Sequence, residues 1–328
     1  MSDRAMEVQG ITKSFRARGA EGRAVLRAVD DASFTLRTGE ILGLVGESGC
    51  GKSTLARILL RLIEPDGGQI LFDGEPFTGI SPRHTRRMRR NVQIVFQDAL
   101  SSLNPRMTML ENIIEPMRLQ GIGSDRERRA AAMELVDLVG LHPDRAMHYP
   151  HEFSGGQCQR IAIARALILR PKVIIFDEAT SALDVSIRAQ ILRLIIDLQK
   201  RFGFSYLFIS HDMSVVKRIA DRVAVMYLGR IVELGPSDDI YRNPLHPYTE
   251  ALLKAIPIPD PRRMRVSSLG LLEGEAASPL EQTTGCAFCN RCAYRMPVCA
   301  EQSPALVPVA ARHEVACFRH DPTRRPER

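Results

Sequence analysis

An α/β fold assembled around a nucleotide-binding loop is what this chain predicts, and three observations predict it. A glycine-rich loop separates an apolar run from a helical pattern. Apolar runs of strand length alternate with helical stretches through most of the 328 residues, and one later run ends in two adjacent carboxylates.

Residues 1 to 98 carry β-rich segments, including an Asp73-Gly74 turn that reads as a hairpin. Among them, Ile41 to Val45 leads into Gly46-Glu47-Ser48-Gly49-Cys50-Gly51-Lys52-Ser53-Thr54, and a helical pattern runs from Lys52 to Leu62. Glycines let successive backbone N–H groups turn toward phosphate oxygens. Lys52 can reach the β- and γ-phosphates, and the Ser53 hydroxyl can hold Mg2+ at the positive helix N-terminus. A strand from Val92 to Phe96 is followed by a helical insert. There Ser124-Asp125-Arg126-Glu127 forms a capping box, opening a helix with apolar positions Ala131, Leu135 and Leu138 that ends near Gly140.

Phe153-Ser154-Gly155-Gly156-Gln157 then enters a helix running through Ile161, Ala164 and Leu167. Val173 to Phe176 is an apolar strand closed by Asp177-Glu178. Asp177 suits Mg2+ coordination, directly or through water, and Glu178 is placed to polarise an attacking water. From Asp184 to Arg201, Ile187, Ile191, Leu194, Ile195 and Leu198 recur at helical spacing, and Ser205 to Ser210 supplies the next strand. The pattern changes after Arg230, and Pro257, Pro259 and Pro261 open a loop-rich linker.

With the phosphate loop, the Ser154-Gly155-Gly156 loop and the carboxylate pair in this order, the chain resembles the ATP-binding cassette (ABC) ATPases. The resemblance implies a P-loop ABC ATPase with a β-rich subdomain, a RecA-like core and a helical subdomain near residues 99–155, plus a small Cys-rich C-terminal extension. In that family the signature loop of one cassette closes over the nucleotide held by another, so Ser154, Gly155 and Gly156 would act across a dimer interface. Gln97 resembles the loop glutamine that touches Mg2+ or water and reports nucleotide state to a membrane partner, the alternative being a solvated turn residue. His211, after Leu207-Phe208-Ile209-Ser210, stands where the family places a histidine against the γ-phosphate; a structural strand-end histidine is the other reading. Phe15 is the adenine-stacking candidate or else an ordinary strand phenylalanine. The chain departs from the family at Ala179, where relatives usually carry proline, and at Ala99; neither is a catalytic group.

Asn243-Pro244-Leu245-His246-Pro247-Tyr248-Thr249, the proline-rich stretch after it and a terminal cysteine cluster resemble the C-terminal region of oligopeptide and dipeptide importer ATPases, F-type subunit. That implies pairing with a D-type ATPase as a heterodimer beneath two transmembrane permease subunits, served by a periplasmic or lipid-anchored solute-binding protein. Residues 1–255 would form the nucleotide-binding domain, 256–284 a linker, and 285–320 a Cys-rich metal-binding region. A non-transport ABC ATPase acting on nucleic acid or ribosomes is the rival class, but such proteins commonly fuse two cassettes, and this chain carries one set of motifs.

A composition with 45% hydrophobic and 25% charged residues suits one large domain and a smaller appendage. No stretch approaches 18 consecutive apolar residues, and the first residues lack a signal-peptide pattern. The expectation is a peripheral protein on the cytoplasmic face of a bacterial inner membrane. The net charge of +7 is modest; basic clusters at Arg83 to Arg90 and Arg324 to Arg328 can face anionic lipid or nucleic acid, but solvated faces are the commoner reading, and no nucleic acid partner is expected.

Five of the seven cysteines, Cys286, Cys289, Cys292, Cys299 and Cys317, crowd into the C-terminal region. In a cytoplasmic protein metal is a better reading than disulfides. The spacing of Cys286, Cys289 and Cys292 is that of ferredoxin-type iron-sulfur ligation, while four thiolates would also suit zinc. The family pattern instead implies a 4Fe-4S cluster on Cys286, Cys292, Cys299 and Cys317, with Cys289 outside the set.

Overall fold

A computed structural model of the chain describes residues 3–19, 22–256 and 284–321. Nearly all of the proline-rich linker expected at 256–284 lies outside the described residues. Two sheets form the framework. The smaller is antiparallel, in the order β2 (Gly22–Arg37), β1 (Arg4–Gly19), β4 (Gly67–Phe72), β5 (Glu75–Pro76). The β4–β5 turn is the expected Asp73-Gly74 hairpin, with positive φ at both residues as a type I′ turn requires.

The larger sheet has eight strands. Five are parallel, in the order β9 (Arg222–Tyr227), β3 (Ile41–Val45), β8 (Ser205–Ser210), β7 (Val173–Asp177), β6 (Val92–Val95). Strands β3, β7, β8 and β9 are buried at every residue, which is why they read as continuous apolar runs. Alternate residues feed opposite cores. Ile174, Phe176 and Phe208 pack on the helical side, whereas Ile175, Leu207 and Ile209 face α1 (Lys52–Leu59) and the antiparallel sheet. Helix α1 is shorter than the expected Lys52 to Leu62. Arg61 adopts φ 57° and its guanidinium bonds Glu64 and the Phe77 carbonyl, turning the chain out of the helix.

Between β6 and β7 stand α2 (Ala99–Ser102), α3 (Met109–Gln120), α4 (Asp125–Leu138) and α5 (Gly155–Leu167). The Ser124 capping box is present, Glu127 N donating to Ser124 Oγ while Ser124 N donates to Glu127 Oε2. The apolar positions expected in α4 pack against the core. Ala132 and Val136 are buried, while Ala131, Leu135 and Leu138 pack half-buried at its rim. Helix α6 (Val185–Phe202) carries Ile191, Ile195 and Leu198 into the core as its periodicity predicts.

On its far side the sheet continues through β10 (Arg230–Pro236) to two short strands of the cysteine-rich tail, β12 (His313–Val315) and β11 (Val307–Ala310). The junction is polar and buried. Glu233 on β10 accepts from Leu245 N, His246 N and His313 Nε2 at 2.8, 3.0 and 2.8 Å. Its hydrogen bonds, led by His313, outweigh burial and hold its carboxyl below the usual range. His246, 2% exposed, accepts from Tyr248 N through Nδ1, and burial pushes it down to about 4. The folded protein therefore keeps His246 neutral while the unfolded chain binds a proton below about pH 6.5. Its contribution is full above that pH and is lost as pH falls toward 4, about 2 kcal/mol being gone by pH 5. Urea unfolding at pH 7.5 and 5.0 should show that loss, and His246→Gln should shrink the difference by a similar amount. An unchanged pH difference in the variant would remove His246 as its source. Among the described residues no helix is long and apolar enough to cross a membrane.

Candidate functional site

The loop from Gly46 to Gly51 leaves the buried end of β3 and enters α1 at Lys52. Glycine is required twice there. A Cβ on Gly51, at φ 107°, would lie 2.0 Å from the Ala28 carbonyl oxygen, and one on Gly46 would lie 2.2 Å from that of Met226. Lys52 is buried and curls over the loop, Nζ donating to the carbonyls of Gly46 and Glu47, both at 2.9 Å, with Cys50 Sγ at 3.7 Å. Burial pushes the Cys50 thiol up, with Lys52 pulling the other way. Ser48 and Gly49 are exposed at the tip, and Thr54 is half-buried in the first helical turn.

At the head of α1 the Ser53 hydroxyl donates to Asp177 Oδ1 at 3.0 Å, joining residues 124 apart in sequence. Burial and the neighbouring Glu178 raise the Asp177 pKa against that bond. Glu178 sits at φ 50°, a left-handed conformation that costs a non-glycine residue about 1 kcal/mol or more. Its N–H donates to the Ile209 carbonyl, and its carboxylate meets His211 Nδ1 at 3.2 Å. The β7–β8 register explains the meeting, since Asp177 pairs with Ile209 and both strands end at the same edge. Gln97 is exposed two residues beyond Val95, which pairs with Phe176, and so reaches that edge too. Phe15 is partly exposed on β1 with Lys13 Nζ 5.7 Å from its ring centroid; no described hydrogen bond links that strand to the phosphate loop.

Ser154 caps α5, accepting from Gln157 N while Gln157 Oε1 accepts from Ser154 N. Gly156 fits where a Cβ would lie 2.5 Å from Ile187 Cγ2. Ser154 and Gly155 are exposed, and among the described hydrogen bonds none joins this loop to the phosphate loop of the same chain. Together the elements offer an anion cradle, a hydroxyl–carboxylate pair suited to Mg2+ and a carboxylate–imidazole pair suited to orienting water.

Two contacts to the loop are absent from the sequence reading. Tyr248 Oη accepts from Glu47 N at 2.9 Å, and Arg291 makes two bonds to the Glu47 carboxylate at 3.0 and 3.1 Å. Tyr248 stands within a segment singled out above; no spacing signal marks Arg291.

All seven cysteines are free. Burial pushes Cys286 up to about 11, and Cys299, Cys317 and Cys292 add to the rise. These are the four positions of the family pattern; Cys289 also lies close by, its N–H donating to the Cys286 carbonyl at 2.9 Å and its thiol acting on Cys292. The donor set is chemically suited to a thiophilic metal. As they stand, however, no three or more His, Cys, Asp or Glu among the described residues are gathered closely enough to hold a metal ion. Burial favours the neutral thiols at Cys286, Cys292 and Cys317, so ligation would require deprotonating them and drawing them together.

Comparison with known proteins gives two family matches. Residues 29–181 match the ABC transporter model and residues 232–299 the oligopeptide/dipeptide transporter C-terminal region. A probable peptide ABC transporter ATP-binding protein, y4tS, of Sinorhizobium fredii is 50% identical over 97% of this chain and 90% of its own length. The oligopeptide transport ATP-binding protein OppF of Escherichia coli is 51% identical over 90% of this chain and 89% of its own. Among solved structures, the ATP-binding cassette MJ0796, a dimer bound to ADP and Pi, aligns with TM-score 0.64 and 30% identity over 71% of this chain and 98% of that one.

Proposed function

This chain belongs to the ATP-binding cassette transporter family of ATPases, and on that premise we propose that it hydrolyses ATP to energise import of oligopeptides, dipeptides or a related small solute. The carrying observation is the convergence of Ser53, Asp177, Glu178 and His211 at one sheet edge beside the phosphate loop.

In this reading the backbone N–H groups from Ser48 to Thr54 and Lys52 bind the phosphates, and Phe15 stacks on the adenine. Ser53, Asp177 and Gln97 would hold Mg2+, which neutralises phosphate charge when bound. Glu178 takes the proton of the attacking water at its carboxylate, and His211 holds that carboxylate in place and faces the γ-phosphate. Ser154, Gly155 and Gly156 act on nucleotide held by a partner cassette; the exposure of Ser154 and Gly155, with no described hydrogen bond to their own phosphate loop, supports this, as does the dimeric state of MJ0796.

The names of the relatives support an ATP-binding subunit for peptide transport; in this reading it sits peripherally on the cytoplasmic face of the inner membrane and works with two permeases and a solute-binding protein. We assign residues 1–255 to the nucleotide-binding domain and 285–320 to the Cys-rich region, and take the partner cassette to be a related D-type subunit. Co-reconstituted with both permeases and that partner, the chain should support ATP-dependent peptide uptake and show weak ATPase activity alone. Full transport-coupled activity as a homodimer on one permease type would contradict the pairing.

The finer reading of the tail is a 4Fe-4S cluster on Cys286, Cys292, Cys299 and Cys317, supported by the gathering of these cysteines in one small region where Cys286 N donates to the Cys299 carbonyl at 2.8 Å. Anaerobically purified protein should be brown with about four irons per chain; Cys289→Ser should keep the colour and Cys299→Ser lose it. Stoichiometric zinc without iron would reject the cluster, and the reverse mutant pattern would give Cys289 a ligand's place.

A further inference from the structure

We propose that Arg291, carried by the cysteine-rich tail between Cys289 and Cys292, is a positioning residue for the nucleotide site, fixing the phosphate loop and neutralising its one carboxylate. The proposal rests on the ATP-binding reading of that loop.

Geometry carries the argument. The Arg291 side chain is 6% exposed, and its two terminal nitrogens grip both oxygens of Glu47. Such fork-to-fork pairing fixes orientation as well as distance. The guanidinium lies 5.9 Å from the ring centroids of both Tyr227 and Phe288, and those rings pack on Tyr248 at 4.6 and 5.5 Å. Tyr248 in turn accepts from the Glu47 N–H, so one cluster holds both ends of the residue. Next to it the loop turns through Gly49 and Gly51, both at positive φ, where the backbone has most freedom to lose.

Charge gives a second reason. Glu47 is the only acidic residue from Gly46 to Thr54, in a segment that must receive a polyanion. Unpaired, it would repel the phosphates; paired with Arg291 it adds no net charge. Arg291 acts mainly on nucleotide affinity, because Glu178 and His211, assigned to the attacking water, follow the ends of β7 and β8 and make no described contact with it.

Binding of Mg-ATP to the full chain and kinetics of the assembled transporter test this. Arg291→Ala should raise Kd and KM for ATP about tenfold, with kcat changed far less. Adding Glu47→Gln to Arg291→Ala should restore a large part of the lost affinity, which a purely structural role for Arg291 would not produce. If the alanine variant does not fold, Arg291→Lys should bind ATP closer to the parent than Arg291→Gln does. A folded Arg291→Ala chain with Kd within twofold of the parent, a loss confined to kcat, or no rescue by Glu47→Gln would overturn the proposal. Lys52→Ala binding ATP as tightly as the parent would instead overturn the reading of the loop, and this proposal with it.

Discussion

Glu178→Gln is expected to bind ATP near the parental affinity while hydrolysing it about two to four orders of magnitude more slowly, the range for a positioned general base. The substitution preserves shape. An amide oxygen can still meet His211, and the backbone bond from residue 178 to Ile209 is untouched, so the left-handed turn survives. What is lost is the ability to accept a proton from water. Because ATP then persists, the paired cassettes should stay closed, which phosphate release and sedimentation in Mg-ATP would detect together. Hydrolysis near the parental rate would take Glu178 out of the proton-accepting role.

Glu233→Ala should cost about 3–5 kcal/mol of stability, the usual penalty for stripping one partner from a buried charged network. Glu233 is fully buried, and its loss would leave the Leu245 and His246 N–H groups and the His313 ring without their acceptor. Glu233→Gln, which keeps acceptor capacity at one oxygen, should lose less. Denaturant unfolding at pH 7.5 measures both. A loss below about 1 kcal/mol in the alanine variant would mean that the junction tolerates an empty centre.

Much of this site was legible because its chemistry is local. The phosphate loop is nine consecutive residues, and Asp177-Glu178 ends a run whose burial on both faces makes it continuously apolar. The Ser124 capping box was equally plain, since donor and acceptor lie three residues apart. Where a single residue decides, the pattern failed: Arg61 leaves the helix while the apolar periodicity runs on to Leu62. Along α4 the expected apolar positions Ala131, Leu135 and Leu138 do pack against the core, while Ala132 and Val136, which the spacing did not single out, are the fully buried ones. Strands β11 and β12, four and three residues long, are too short to show alternation, and Pro308 disguises the first. Arg291 and Glu47 stand 244 residues apart, a distance over which no spacing argument reaches.

The placement of β12 has a consequence for synthesis. A ribosome makes this protein from its N-terminus, so β10 emerges with its outer hydrogen-bonding edge bare and stays so until His313 to Val315 have been translated and threaded beside it. Glu47 waits still longer in sequence terms for Arg291 than β3 waits for β8. Contacts of such long range close late and slowly. A nascent or prematurely terminated cassette would therefore display a bare strand edge, open to pairing with other chains, together with a loosely held phosphate loop. The tail acts as the closing stitch of the domain, and a chain that never receives it is marked as unfinished by its own exposed edge.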